Sequence, residues 1–339
     1  MSSYADSRRT APTKVQAVAL STSLHIVSGK GGTGKTTVAA SLATALADAG
    51  KRVLLCEVEG RQGIAQLFDV PPLPYEERKI AVGLGGGEVY ALAVDAESAL
   101  LEYLQMYYRL GRAGKALDKF GIIDFATTIA PGVRDVLLTG KVYEAAKRKK
   151  GNNFVYDAVV MDAPPTGRIT RFLGVNEEVA GLAKVGPVRR QADSIMSMMR
   201  SRNTHVHLVT LLEEMPVQET LDGIADLKKA SLPVGTVVAN MVRPVLLSDD
   251  TQKALESGTL TPDAISDALD GIGLDGEAAP TLVTEGLGHI ERQALQADQR
   301  EALGDRDVVE LPALAEAIDQ GALFELARIL RTDLLKERS

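Results

Sequence analysis

The sequence has no tryptophan, one cysteine, Cys56, four histidines and only 4% aromatic residues. A single thiol excludes an internal disulfide framework and fits a reducing compartment. It also excludes a metal site built from several thiolates of one chain. No apolar run approaches the roughly 18 residues of a membrane-spanning helix. Basic residues do not dominate: 38 Lys and Arg against 45 Asp and Glu leave a formal charge of −7, so general attraction to nucleic acid is not expected. The opening MSSYADSRRTAPTKVQAVALSTS carries Arg8-Arg9, but its apolar part, Val15 to Leu20, is short and interrupted by Gln16. It reads as a disordered polar tail over residues 1–22 rather than an export signal. A cytoplasmic protein is expected, with the inner face of the membrane as the one surface it could visit.

What is present is a regular alternation of short β-rich runs with helical patterns. That alternation predicts an α/β fold with a mostly parallel, doubly wound sheet flanked by helices. Strands are expected at Leu24–Val27, Arg52–Glu57, Val89–Val94, Asp157–Met161, Val206–Leu211, Val234–Ala239 and Val308–Leu311, and a helix at Lys35–Ala49. Two of the runs, VLLC and AVVM, are continuously apolar, as befits strands covered on both faces. The gaps between strands are uneven and too long for simple crossovers. They predict one domain over 23–339 with a helical subdomain inserted at about 96–150 and 172–203, and a C-terminal helical segment at about 247–305. The run GLGGG at Gly83–Gly87 reads as a mobile loop before a strand.

Chemistry concentrates in Ser28–Thr37, SGKGGTGKTT. Gly29-x-x-x-x-Gly34-Lys35-Thr36 follows a strand and opens a helix, which is the context of a phosphate-binding loop. Gly29, Gly31, Gly32 and Gly34 let backbone N–H groups turn inward around phosphate oxygens, helped by the partial positive charge of the helix start. Thr33 and Thr37 complete the loop; Lys35 is expected on the β- and γ-phosphates of ATP, and the Thr36 hydroxyl on Mg²⁺. A P-loop NTPase therefore follows. Asp162 ends the AVVM strand, the pattern of a carboxylate that holds magnesium's water shell, and Ala163-Pro164-Pro165-Thr166-Gly167-Arg168 follows it where a γ-phosphate would sit. Glu59, just past the second strand, is placed either to orient an attacking water or to pair with Arg61 as a solvated acid.

These elements together resemble the ArsA-type ATPases, which include the arsenite-pump ATPase and the guided-entry ATPase for tail-anchored membrane proteins. The carrying residues are GKGGTGKTT at Gly29–Thr37 and DAPPTGRITRFL at Asp162–Leu173. YALAVDAESALLEYL, PGVRDVLLTGKVYEA and LPAL at Leu311–Leu314 follow in family order, nearest to ArsA-like proteins of actinobacteria. The resemblance implies that Lys30 is the second lysine of a deviant loop and reaches phosphate held by a facing subunit. The partner would be a second copy or a paralogous ATPase. A solvated lysine that improves affinity within one subunit is the competing reading. The same resemblance implies that Asn240 recognises adenine, that Leu311-Pro312 closes over it, and that Lys30, Lys35 and Glu59 form the catalytic set. Glu59 replaces a family aspartate and Arg168 a switch histidine.

One cysteine per chain matches neither the three-thiolate arsenite site nor the zinc-sharing pair of guided-entry dimers, so neither ion is expected. ATP and ADP are the expected small-molecule partners, and a hydrophobic membrane-protein client is the expected macromolecular one. Two stretches are compatible with a client groove but read in the first place as two-sided core helices: the stripe Ala192, Ile195, Met196, Met199 with Met198 beside it, and Leu100–Leu110. A membrane-positioning ATPase of the MinD/ParA kind is an alternative. It would use the apolar face Leu323, Leu326, Leu330 and Leu334. A weakly hydrolysing regulatory subunit is another.

Overall fold

The computed structural model describes residues 22–108, 131–182, 187–315 and 317–334. β1 (Ser23–Gly29) runs into α1 (Lys35–Asp48), then β2 (Arg52–Glu57) and the single turn α2 (Gly63–Leu67). β3 (Arg78–Val82) and β4 (Glu88–Ala93) precede α3 (Ala96–Tyr108) and α4 (Pro131–Lys147). A two-stranded ribbon, β5 (Lys149–Lys150) and β6 (Asn153–Phe154), leads to β7 (Ala158–Asp162), α5 (Thr166–Leu182) and α6 (Pro187–Met199). β8 (Thr204–Thr210), α7 (Glu214–Lys229) and β9 (Val234–Val242) follow, then α8 (Asp249–Glu256), α9 (Pro262–Gly271) and α10 (Ala279–Ala302). β10 (Val308–Pro312) and α11 (Gln320–Asp333) close the described chain.

Eight strands form one sheet in the order β10-β9-β8-β1-β7-β2-β4-β3. All neighbours are parallel except β3 and β4. β1 is central, so the loop that follows it emerges mid-edge, between the ends of β7 and β8. Alternate side chains of each central strand enter opposite layers. Val27, Leu55 and Val160 face Leu42 and Leu46 of α1 and Leu323, Leu326 and Leu330 of α11. Ile26, Leu54, Cys56 and Met161 face Val142, Phe172, Ile195 and Met199 of α4, α5 and α6. Two buried faces explain why VLLC and AVVM carry no polar alternation.

One expectation changes, and two apolar stripes are placed. The GLGGG run is a tight hairpin connection, not a loose loop before one strand. Gly83 N–H donates to Gly87 O (2.9 Å), Gly87 N–H to Ala47 O (3.2 Å) and Leu84 N–H to the buried Asp48 Oδ1 (2.7 Å). The strand missed before it, β3, opens with charged Arg78 and Lys79 ahead of Ile80 and Ala81 on an exposed edge, which hides it from a hydrophobicity reading. The methionine stripe is core: Ala192, Ile195, Met196, Met198 and Met199 are all buried. The apolar face of α11 is core as well, since Leu323, Leu326 and Leu330 pack on α1 rather than facing outward. Residues 1–21 of the expected tail and 109–110 of the Leu100–Leu110 stripe lie outside the described residues. No described helix is long and apolar enough to cross a membrane.

Candidate nucleotide site

The loop turns on Lys30, whose carbonyl accepts from Thr33 N–H (3.3 Å), Thr33 Oγ1 (2.9 Å) and Lys35 Nζ (3.4 Å). Gly31 and Gly32 are exposed at its crest, while Thr33 and Lys35 are buried beneath it. Gly34 takes a left-handed φ of 86° as the N-cap of α1, and no side chain caps that end of the helix. An added Cβ at Gly34 would lie 2.3 Å from Asn240 Nδ2, so glycine is required by both backbone and space. The first-turn N–H groups are uncapped and free of acidic neighbours, an arrangement that suits an anion.

Opposite the helix start, Thr36 Oγ1 donates to Asp162 Oδ2 at 2.7 Å. Asp162 is buried, and burial pushes its carboxyl up to about 6 despite the Thr36 hydrogen bond and the Lys35 ammonium; Glu57 and Glu59 add to the rise. A carboxylate held in this costly state beside a hydroxyl is a donor set suited to a hard divalent cation, which would relieve the charge. The segment after Asp162 is tied to the loop by Ser28 Oγ, which donates to Pro164 O (2.6 Å). Thr166 Oγ1, at the start of α5, is buried without a hydrogen-bond partner. These features fit a bound Mg²⁺-nucleotide: an open cradle, an under-neutralised carboxylate and an unmatched hydroxyl.

Glu59 is one-fifth exposed and lies 3.8 Å from Arg61. Its neighbour Glu57 went unnoticed in the sequence, although a charge closing an apolar strand was its signal. Glu57 is buried, pairs in register with Asp162, and accepts from the N–H groups of Gln62 and Ile64 (the latter 3.2 Å). It thereby caps α2 and fixes the loop that bears Glu59. Asn240 is buried and donates from Nδ2 to Thr33 O (2.9 Å), tying the end of β9 to the phosphate loop. Pro312, at the end of neighbouring β10, pairs with Val242. Thr37 lies partly covered in the first turn of α1. Arg168 is exposed in the first turn of α5 and, with Arg134 and Arg171, lies near Asp135.

The structure thus brings Lys30, Lys35, Thr36, Asp162 and Asn240 to one edge of the sheet, with Glu59 following the next strand but one. Lys30 is the outlier: its ammonium pairs with Glu219 Oε1 of α7, at 2.9 Å.

Comparison with known proteins agrees with this geometry. The profile of the family described as Anion-transporting ATPase, ArsA_ATPase, matches residues 22–204. ATPase BagA of Mycobacterium tuberculosis is 51% identical over 313 residues, covering 91% of this chain and 92% of that protein. Putative arsenical pump-driving ATPase 2 of Aquifex aeolicus is 26% identical, covering 67% of this chain and 82% of that one. ATPase GET3B of Arabidopsis thaliana is 23% identical, covering 66% and 65%. A phosphate loop on a doubly wound sheet, matched over most of its length, places the chain in the anion-transporting ATPase (ArsA) family, and it is an ATP-hydrolysing enzyme.

Proposed function

We propose that the protein is a Mg²⁺-dependent ATPase that works as a dimeric switch, with Lys30 of each protomer acting on the nucleotide of the other. The observation that carries this reading is the pairing of a complete cradle with a lysine that does not serve it. Lys35 already supplies the buried ammonium at the loop, whereas the Lys30 ammonium is one-third exposed and is paired with Glu219 of α7. A cation brought from a facing subunit would stabilise charge that spreads over phosphate oxygens during transfer, as an arginine finger does.

Thr36 and Asp162 would hold Mg²⁺, which supplies charge neutralisation to the phosphates when bound. Gly29–Thr37 would cradle the phosphates. Asn240 and Pro312, on adjoining strand ends, would flank the base. Glu59, in a loop fixed by Glu57, would orient the attacking water. Nucleotide state would then set the geometry of two protomers, and that geometry would act on a hydrophobic membrane-protein client from the cytoplasm. The name of the Aquifex relative, a putative arsenical pump-driving ATPase, supports a role coupled to a membrane partner.

Two readouts test the reading. Turnover per chain should rise with protein concentration, and Lys30→Ala should abolish it while calorimetry still detects Mg·ATP binding. Concentration-independent turnover, or a Lys30→Ala variant as active as the parent, would refute the shared-site reading.

A further inference from the structure

The 2.9 Å contact between Lys30 Nζ and Glu219 Oε1 lies within one chain, between the phosphate loop and α7. One helical turn further along α7, on the same face, stands Gly223. A Cβ built there would meet Thr166 Cγ2 at 2.3 Å, so the Thr166 methyl occupies the place a side chain would take. Thr166 opens α5, directly after Asp162-Ala-Pro-Pro, and its buried hydroxyl has no partner. Between them, Thr220 is buried and donates to Pro216 O (2.8 Å), and Val217, Ile224 and Leu227 are buried in the core, so α7 is anchored as a rigid body. One helix face therefore touches both the lysine of the loop and the segment that follows the metal-side carboxylate.

We infer that Glu219 is a positioning residue that restrains Lys30 within its own protomer, and that the Thr166–Gly223 contact couples this restraint to the segment after Asp162. The inference rests on the proposed role of Lys30 on phosphate. While Glu219 holds the ammonium, the positive charge is matched by a carboxylate of the same chain and is not offered to a facing subunit. Both side chains are about one-third exposed, at 32% and 38%. Such pairs are weak and screened by salt, so a nucleotide phosphate can displace the carboxylate. Any inward movement of Thr166, as its hydroxyl engages a ligand, presses on α7 at Gly223 and shifts Glu219 with it. The helix is then a two-position element biased from both ends.

The test uses the full chain. In Mg²⁺ buffer without nucleotide, the rate at which N-hydroxysuccinimidyl acetate acylates Lys30 is read by peptide mass spectrometry. Glu219→Gln is expected to speed labelling about two- to fivefold, and Glu219→Asp to stay near the parent rate. High salt should erase most of the difference. In turnover assays, Glu219→Gln should reach half-maximal activity at about two- to fivefold lower protein concentration with its maximal rate kept. In a Lys30→Ala background it should change nothing. Gly223→Ala should accelerate Lys30 labelling, and adding Thr166→Ser, which removes the methyl, should reverse that gain.

Unchanged labelling in Glu219→Gln overturns the restraint. So does a fall in maximal turnover matching that of Lys30→Ala, which would make Glu219 part of the reaction itself. Unchanged labelling in a folded Gly223→Ala overturns the coupling. Because labelling requires neither dimer nor hydrolysis, accelerated labelling beside concentration-independent turnover would remove the shared-site reading and leave the restraint standing.

Discussion

Asp162 carries the clearest residue-scale consequence. Its folded-state value of about 6 lies above the ordinary 3.8, so between these values the native protein holds the proton more tightly than the unfolded chain. The contribution of this carboxyl to the stability of the nucleotide-free protein therefore falls as pH rises through that window, and the buried carboxylate costs about 2–3 kcal/mol at neutral pH. Asp162→Asn should stabilise the free protein at neutral pH by that order, read as a higher urea midpoint, while removing Mg²⁺-dependent nucleotide affinity. A variant with lower stability and normal affinity would contradict the assignment. In the parent protein, Mg²⁺-dependent affinity should weaken below about pH 6, because the cation requires the ionised carboxyl. Both effects follow from one fact: the acid is buried with a single hydroxyl partner. A strand ending in aspartate is legible in the sequence; its desolvation is not, because it depends on β1 and β2 covering both sides of β7.

At the scale of elements, β1 and β8 bring three of the four histidines together. Thr236 N–H donates to His207 Nδ1 (3.3 Å), so the His207 hydrogen sits on Nε2 and points to His25 Nδ1 (3.1 Å). His25 Nε2 then donates to Ser23 Oγ (3.2 Å), giving a chain of neutral rings with His205 stacked at 5.3 Å from His25. Burial, with mutual repulsion added, holds His25 well below its usual value and His207 down at about 3. The unfolded chain binds protons that the native chain refuses. The histidines' contribution to stability is therefore complete above about pH 6.5 and is lost on acidification, by about 1.4 kcal/mol per pH unit for each histidine. His207→Gln should flatten the pH dependence of the urea midpoint between pH 6 and 4.5; an unchanged slope would place the acid lability elsewhere. The strands themselves were readable from their apolar runs, and the loop from its glycines. The histidine cluster was not, since residues 182 positions apart meet only through strand register. Edge strand β3 was hidden by its charges. The α11 stripe was visible as amphipathic, but a stripe alone does not say whether a sheet-covering helix or a lipid surface receives it.

For the whole molecule, the strand order places the phosphate loop at mid-edge, flanked by the ends of β7 and β8. That edge carries the cradle, the metal-side carboxylate and Lys30, and a two-fold axis across it would bring two such edges face to face. The family motif singles out the loop Gly29–Thr37 from sequence alone, and the structure gives that loop its turn between β1 and α1. The pairing of Lys30 with Glu219 had no sequence signal, because it joins the loop to a helix about 190 residues away. The central claim is that each active site is completed by the other protomer's Lys30, and mixing two inactive variants tests it directly. Lys30→Ala can bind nucleotide but offers no lysine; Lys35→Ala offers Lys30 but cannot hold the phosphates. Combined in equal amounts, they should recover about a quarter of parental turnover, since half the dimers are mixed and one of their two sites is whole. No recovery from a mixture shown to contain mixed dimers would contradict the account.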